Sequence, residues 1–177
     1  MIKTMLLILF ATTSLGQAQP ARTGPAHKTK AAEAANTHYY GAIDLGSKGT
    51  KASLYSFVTE EDGRDPVVIF AKTINTKLVS SMHDGNFTSD GIAEATKAVK
   101  DEIDAMKTEA ANRKIVVDVY YVVGSSGVAK AANKQDLVVS VHDATNIDMD
   151  FVDAAHEGYY GMLSAVPLSR RPGRNRS

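Results

Sequence analysis

The sequence predicts an α/β domain in which three antiparallel strands are followed by helices alternating with parallel strands. Three observations carry that prediction. Two apolar, β-rich stretches, Tyr39 to Leu45 and Thr50 to Val58, flank Gly46-Ser47-Lys48-Gly49, a glycine-rich hairpin signal. Ile92, Ala95, Val99, Ile103 and Met106 recur at spacings of three and four, the apolar stripe of a core-facing helix. Ile115 to Val123 is an apolar run interrupted by Asp118, as expected of a buried strand that follows a helix.

The 177 residues, 44% of them hydrophobic, suffice for one ordinary globular domain rather than two. In chain order, residues 1–18 read as an export signal: Lys3, the apolar run Met5 to Phe10, then small and polar residues ending at Ala18, after which cleavage is expected. The run is shorter than the roughly 20 apolar residues that span a bilayer, so no membrane association is expected after cleavage, and the expected location is the periplasm or the exterior. Residues 19–37, rich in Ala, Thr, Lys and Pro, bury too little apolar surface to offset their ordering entropy and are expected to be a flexible linker. Residues 38–164 are the expected domain.

Within the domain, the polar run Glu60 to Asp65 is expected to turn the chain into a third strand, Pro66 to Ile74. Lys77 to Asn86 is a loop, and Ser89 or Asp90 offers an N-cap to the helix that carries the apolar stripe. Its other face holds Lys97, Lys100, Asp101, Asp104 and Lys107, the composition of a solvated face. After the strand that ends at Val123, Gly124-Ser125-Ser126-Gly127 leads into a short helical stretch over Val128 to Asn133. Gln135 to His142 follows as a second helix, Asp148 to Val152 as a strand and Ala154 to Leu163 as a closing helix. Residues 165–177 end in an arginine-rich stretch expected to be a disordered tail, without the interleaved aromatics of a nucleic-acid patch.

Twenty basic and twenty acidic side chains cancel, so no global field draws the protein to nucleic acid, and charge-dependent binding must be local. The absence of cysteine excludes a disulfide framework and thiolate metal sites. No histidine stands at a metal-ligand spacing from another histidine or a carboxylate, which argues against a dedicated transition-metal site.

The segment richest in chemistry is Ile43 to Lys51. A strand ends on Asp44 and turns through Gly46 and Gly49, so backbone N–H groups can converge on an anion with no β-carbon in the way. Ser47 and Thr50 add hydroxyls, Lys48 and Lys51 add positive charge, and Asp44 suits a hydrated Mg²⁺ held against a phosphate. A plain hairpin with a glycine-rich turn accounts for the same pattern. Glu157, near the start of the last helix, reads equally well as a solvated surface glutamate.

Asp44-Leu45-Gly46-Ser47 followed by a second strand resembles the first phosphate motif of the actin, hexokinase and Hsp70 superfamily, whose fold is the actin-like (ribonuclease H-like) α/β domain. Phe87-Thr88-Ser89-Asp90-Gly91-Ile92, Val122 to Val128, and Phe151 to Gly161 are similar to successive segments of its Ppx/GppA (exopolyphosphatase/guanosine-pentaphosphatase) branch, and the resemblance spans roughly residues 39–164, the family's amino-terminal domain. It implies that Asp44, Gly46 and Ser47 face one phosphate group, with Ser125 and Ser126 in a second phosphate-facing loop. It also implies that Glu157 activates the attacking water, that Mg²⁺ is the cofactor, and that the ligand is polyphosphate or a nucleotide-like phosphate. The chain departs from the family pattern at His156, Gly158 and Tyr159 around that glutamate. It departs again at Lys48, and at Ala129, where an arginine is usual.

An Asp-x-Gly-Gly-Gly phosphate-2 motif, supplied in the superfamily by a second domain, has no counterpart in the sequence. The resulting expectation is a phosphoanhydride-hydrolase-like domain, truncated, and weakly active or inactive alone, completed by a missing second domain or by self-association. The alternative is a non-catalytic exported protein that uses the actin-type fold for binding or assembly.

Overall fold

The computed structural model describes residues 37–58 and 66–164, with side chains placed up to Tyr159. The expected export signal, the expected tail, the turn at Glu60 to Asp65 and all of the linker but Thr37 lie outside the described residues; Thr37 opens the first strand.

Five strands form one mixed sheet: β1 (Thr37–Gly46), β2 (Gly49–Val58), β3 (Val67–Asn75), β4 (Val119–Gly124) and β5 (Met149–Phe151). Their order across the sheet is β3-β2-β1-β4-β5. β1, β2 and β3 pair antiparallel, while β4 and β5 join β1 in parallel, as the sequence predicts. Among the described residues four helices accompany them: α1 (Ser89–Arg113), α2 (Ser126–Ala129), α3 (Lys134–Thr145) and α4 (Ala154–Ser164).

Strand alternation sorts β1 and β2 into two faces. Ile43, Leu45, Ala52 and Leu54 point to one face, where Ala95, Val99, Ile103 and Met106 of α1 and Leu137 and Val141 of α3 complete the main core. Each fully buried Leu, Ile or Val in it contributes about 1.5–3 kcal/mol. Ala42, Tyr55 and Phe57 form a smaller cluster on the other face, flanked by Tyr40 and Tyr121. A β-carbon at Gly41 would overlap the Tyr120 ring on β4, so glycine there lets that ring close over β1.

The apolar stripe of α1 is buried as predicted, except that Ile92 is half-buried. The cap differs: Thr88, not Ser89 or Asp90, holds the N-cap position, its hydroxyl accepting the Gly91 amide at 3.1 Å. Its extended backbone and that bond leave Ser89 and Asp90 in the first turn, where Asp90 favours the positive end of the helix dipole. On the solvent face Lys97 pairs with Asp101 and Lys100 with Asp104 one turn apart.

Two further elements sit elsewhere than expected. Of the Ile115–Val123 run only Val119 onwards is strand, as part of β4, because α1 continues to Arg113 and caps on left-handed Lys114. Ile115 N–H then bonds back to Ala110, Val116 is 83% exposed, and Asp118 accepts the Tyr39 amide at 2.9 Å, pinning the start of β1. The helical stretch expected over Val128 to Asn133 is α2, which ends at Ala129. The next residues are recruited by the preceding loop instead: Ala132 N–H bonds Gly85 O, and the Asn133 amide group bonds both the N–H and the carbonyl of Phe87.

Candidate functional site

The parallel register places Leu45 beside Gly124, and Gly124 beside Phe151, so the chain leaves β1, β4 and β5 at one edge of the sheet. This is where open α/β sheets hold their ligands. Ser125 N–H bonds Leu45 O at 3.0 Å and Val152 N–H bonds Gly124 O at 3.0 Å, which stitches the three exits together.

The β1–β2 connection is a two-residue turn, with Gly46 paired to Gly49 and exposed Ser47 and Lys48 at its tip. Among the described residues no hydrogen bond engages the Ser47 and Lys48 amides, whereas Lys48 O accepts the Thr76 amide at 3.1 Å. Gly49 has φ of +155°, and a β-carbon on it would overlap the Ile74 carbonyl, so both the turn and the approach of β3 require glycine.

The second loop lies against the first. A β-carbon placed at Gly127 would stand 3.8 Å from Ser47 Cβ. Ser125 takes the N-cap position of α2 with its hydroxyl uncommitted to the helix, and the Ser126 amide donates to Glu157 Oε2 at 3.1 Å. Asp153 orients the start of α4: its carboxylate accepts the His156 amide at 2.8 Å and contacts His156 Nδ1 at 2.7 Å. With His156 held by Asp153, Glu157 is the α4 carboxylate that reaches the loop.

Asp44 is half-buried on the face opposite the main core, across from Lys51. Burial is the main cause holding its carboxyl above the ordinary carboxylate range; Lys51 draws it back, and Glu157 pushes it further up. The Glu157 carboxylate therefore lies near enough to Asp44 to disfavour its charged form.

The structure thus brings together Asp44, Gly46, Ser47, Ser125, Ser126 and Glu157, with Lys48 and Lys51 exposed at the rim. Thr50 does not join them. It alternates to the core face, is fully buried, and its hydroxyl donates towards Ile74 O at 3.4 Å. Sequence reasoning also missed Glu102. It sits in the buried side of α1 between Val99 and Ile103, and the only sequence signal for it was its place on the inward face among apolar residues. Among the described residues no group of three or more His, Cys, Asp or Glu side chains could hold a metal ion, and no helix is long and apolar enough to cross a membrane.

No family model and no curated protein matches the sequence. Solved structures share its fold. A Ppx/GppA family member from Aquifex aeolicus superposes with a TM-score of 0.60 at 21% identity, over 77% of this chain and 41% of that one. An exopolyphosphatase from Cytophaga hutchinsonii gives 0.53 at 20% identity, over 67% and 35%. An exopolyphosphatase-like protein gives 0.54 at 14% identity, over 70% and 35%. The chain accordingly has the actin-like α/β fold found in Ppx/GppA structures, and spans well under half the length of these three.

Proposed function

We propose that this domain is a phosphoanhydride-handling module of the exopolyphosphatase/guanosine-pentaphosphatase type. The observation that carries the reading is the meeting, at the exits of β1, β4 and β5, of an uncommitted turn at Ser47–Lys48, the Ser126 amide and two carboxylates, Asp44 and Glu157.

The geometry supports a role for each group. Amides at the Ser47–Lys48 turn and at Ser126 supply donors to the oxygens of a polyphosphate or nucleotide-like ligand, and Lys48 and Lys51 supply positive charge at its rim. Glu157 is the group within reach to take a proton from a water beside the bound phosphate. Asp44, half-buried and with a second carboxylate close enough to raise its pKa, suits a hydrated Mg²⁺, which needs only one or two protein carboxylates besides phosphate oxygens. That ion, when bound, neutralises phosphate charge. Phosphoryl transfer depends on charge clamped from several sides, and with Ala129 in the second loop the neighbouring exposed Lys130 is the cation left there as a partial substitute; turnover by this chain alone is therefore slow.

Phosphate release from polyphosphate and from a nucleoside triphosphate, with Mg²⁺, tests the reading on the full chain. Asp44→Ala and Glu157→Gln each lower the rate, Glu157→Gln by about a hundredfold or more, the range of a positioned acid–base group. Equal rates in all three proteins remove the hydrolase reading.

A further inference from the structure

Glu102 is fully buried, and neither carboxylate oxygen has a hydrogen-bond partner. A buried polar side chain left in that state demands a reason. Its surroundings supply one. Thr50 and Ile74 face it from the paired ends of β2 and β3. Thr50 is itself fully buried and its hydroxyl donates towards the Ile74 carbonyl at 3.4 Å, and that carbonyl is the atom against which Gly49 closes the phosphate-loop turn. Two residues on, Thr76 is buried with an unpartnered hydroxyl, while its amide holds Lys48 O. Thr50, Ile74 and Gly49 thus back the turn from behind, with the unpartnered Glu102 carboxyl set against the first two.

We propose that Glu102 is a proton-controlled positioning residue for the β1–β2 loop, bracing it when protonated and releasing it when ionised. Protonated, the carboxyl donates to Thr50 Oγ1, which leaves the Thr50 proton for the Ile74 carbonyl. After losing its proton to solvent, the carboxylate needs donors and draws the Thr50 hydroxyl proton to itself, so the Thr50–Ile74 link breaks and the turn loosens. Burial raises the Glu102 pKa to about 7, against weaker opposition from Thr50, Lys72 and the Ile74 amide, which puts the change at neutral pH. Lys72 on β3 is the charged group acting on Glu102 from a packed strand; β1 presents apolar Ile43 and Leu45 to the same core. On α1 itself, Lys100 and Asp101 are taken up by Asp104 and Lys97, and on α3 His142 contacts Asp148.

The bracing is independent of any ligand; its consequence for phosphate rests on the function proposed above. In the full chain, the backbone amides of Gly49, Thr50 and Ile74 and the ¹³C-labelled Glu102 carboxyl are followed by NMR from pH 5 to 9. All move together through one midpoint near neutrality, and Glu102→Gln, which keeps the shape but cannot ionise, leaves the amides still. A carboxyl that titrates in the ordinary glutamate range, amides that do not follow it, or the same amide transition in Glu102→Gln overturns the proposal; the carboxyl measurement needs only the wild-type chain. Tripolyphosphate binding is then compared at pH 6 and pH 8. Wild type weakens several-fold relative to Glu102→Gln at the higher pH, which cancels the ionisation of the probe itself. Absence of binding at either pH counts against the phosphate reading, while the amide titration still decides the role of Glu102.

Discussion

Glu102 shows how a single residue can set a pH dependence for the whole domain. A carboxyl whose pKa is about 7 when folded and 4.5 when unfolded holds its proton more tightly in the native state. The native state therefore binds more protons than the unfolded one between those values, and stability falls as pH rises through that window. The contribution is complete below about pH 4.5 and gone above about pH 7, and its size is on the order of 3 kcal/mol. Urea unfolding at pH 5 and pH 8 checks it: wild type loses stability relative to Glu102→Gln on going to pH 8. A difference that is constant with pH would show that the carboxyl does not titrate in this window.

At the scale of elements, the loop before α1 and the start of α3 are held together by side chains rather than by strand pairing. Asn133 Oδ1 accepts the Phe87 amide at 2.8 Å and its Nδ2 donates to the Phe87 carbonyl at 3.1 Å, imitating one rung of a sheet. Phe87 is buried, so replacing Asn133 by Ala strands two backbone groups and costs about 1–3 kcal/mol. Asn133→Asp keeps the acceptor but loses the donor, and so falls between wild type and Asn133→Ala in thermal unfolding.

The same contrast explains how much of this architecture was legible in the sequence. The β1–β2 hairpin and α1 were legible because a glycine-rich turn and a long apolar stripe are local patterns. Asp44, Gly46 and Ser47 were legible for the same reason. The early end of α2 and the use of Asp118 to hold β1 depend on partners far along the chain, Gly85 with Ala132 and Asp118 with Tyr39; the Thr88 cap is local, but Thr88, Ser89 and Asp90 are all cap-forming residue types and the pattern does not choose among them. Burial of Glu102 and of the Thr50 hydroxyl likewise follows from α1 lying across the ends of β2 and β3. Strand alternation and the helical stripe put both residues on inward faces, but charge alone suggests the opposite for Glu102.

Across the whole molecule, rigidity is unevenly distributed in a way that bears on the proposed site. β1 is paired on both sides, antiparallel to β2 and parallel to β4, and its Ile43 and Leu45 are fully buried. α4 is exposed along Ala154 to Tyr159 and reaches the loop after β4 through the Glu157 carboxylate on the Ser126 amide. Amide exchange is therefore slowest in β1 and much faster in α4. A phosphate oxygen seeking the Ser126 amide competes with Glu157 for the same donor, so a bound phosphoanhydride and the Glu157–Ser126 bond exclude each other. Hydrogen exchange with and without tripolyphosphate and Mg²⁺ then gives changes of opposite sign: protection rises at Ser47 and Lys48 and falls in the first turn of α4, because Glu157 is released to face the water it is proposed to activate. Protection that rises in both segments would mean that ligand does not displace Glu157, and would leave the glutamate holding the loop rather than acting on a substrate.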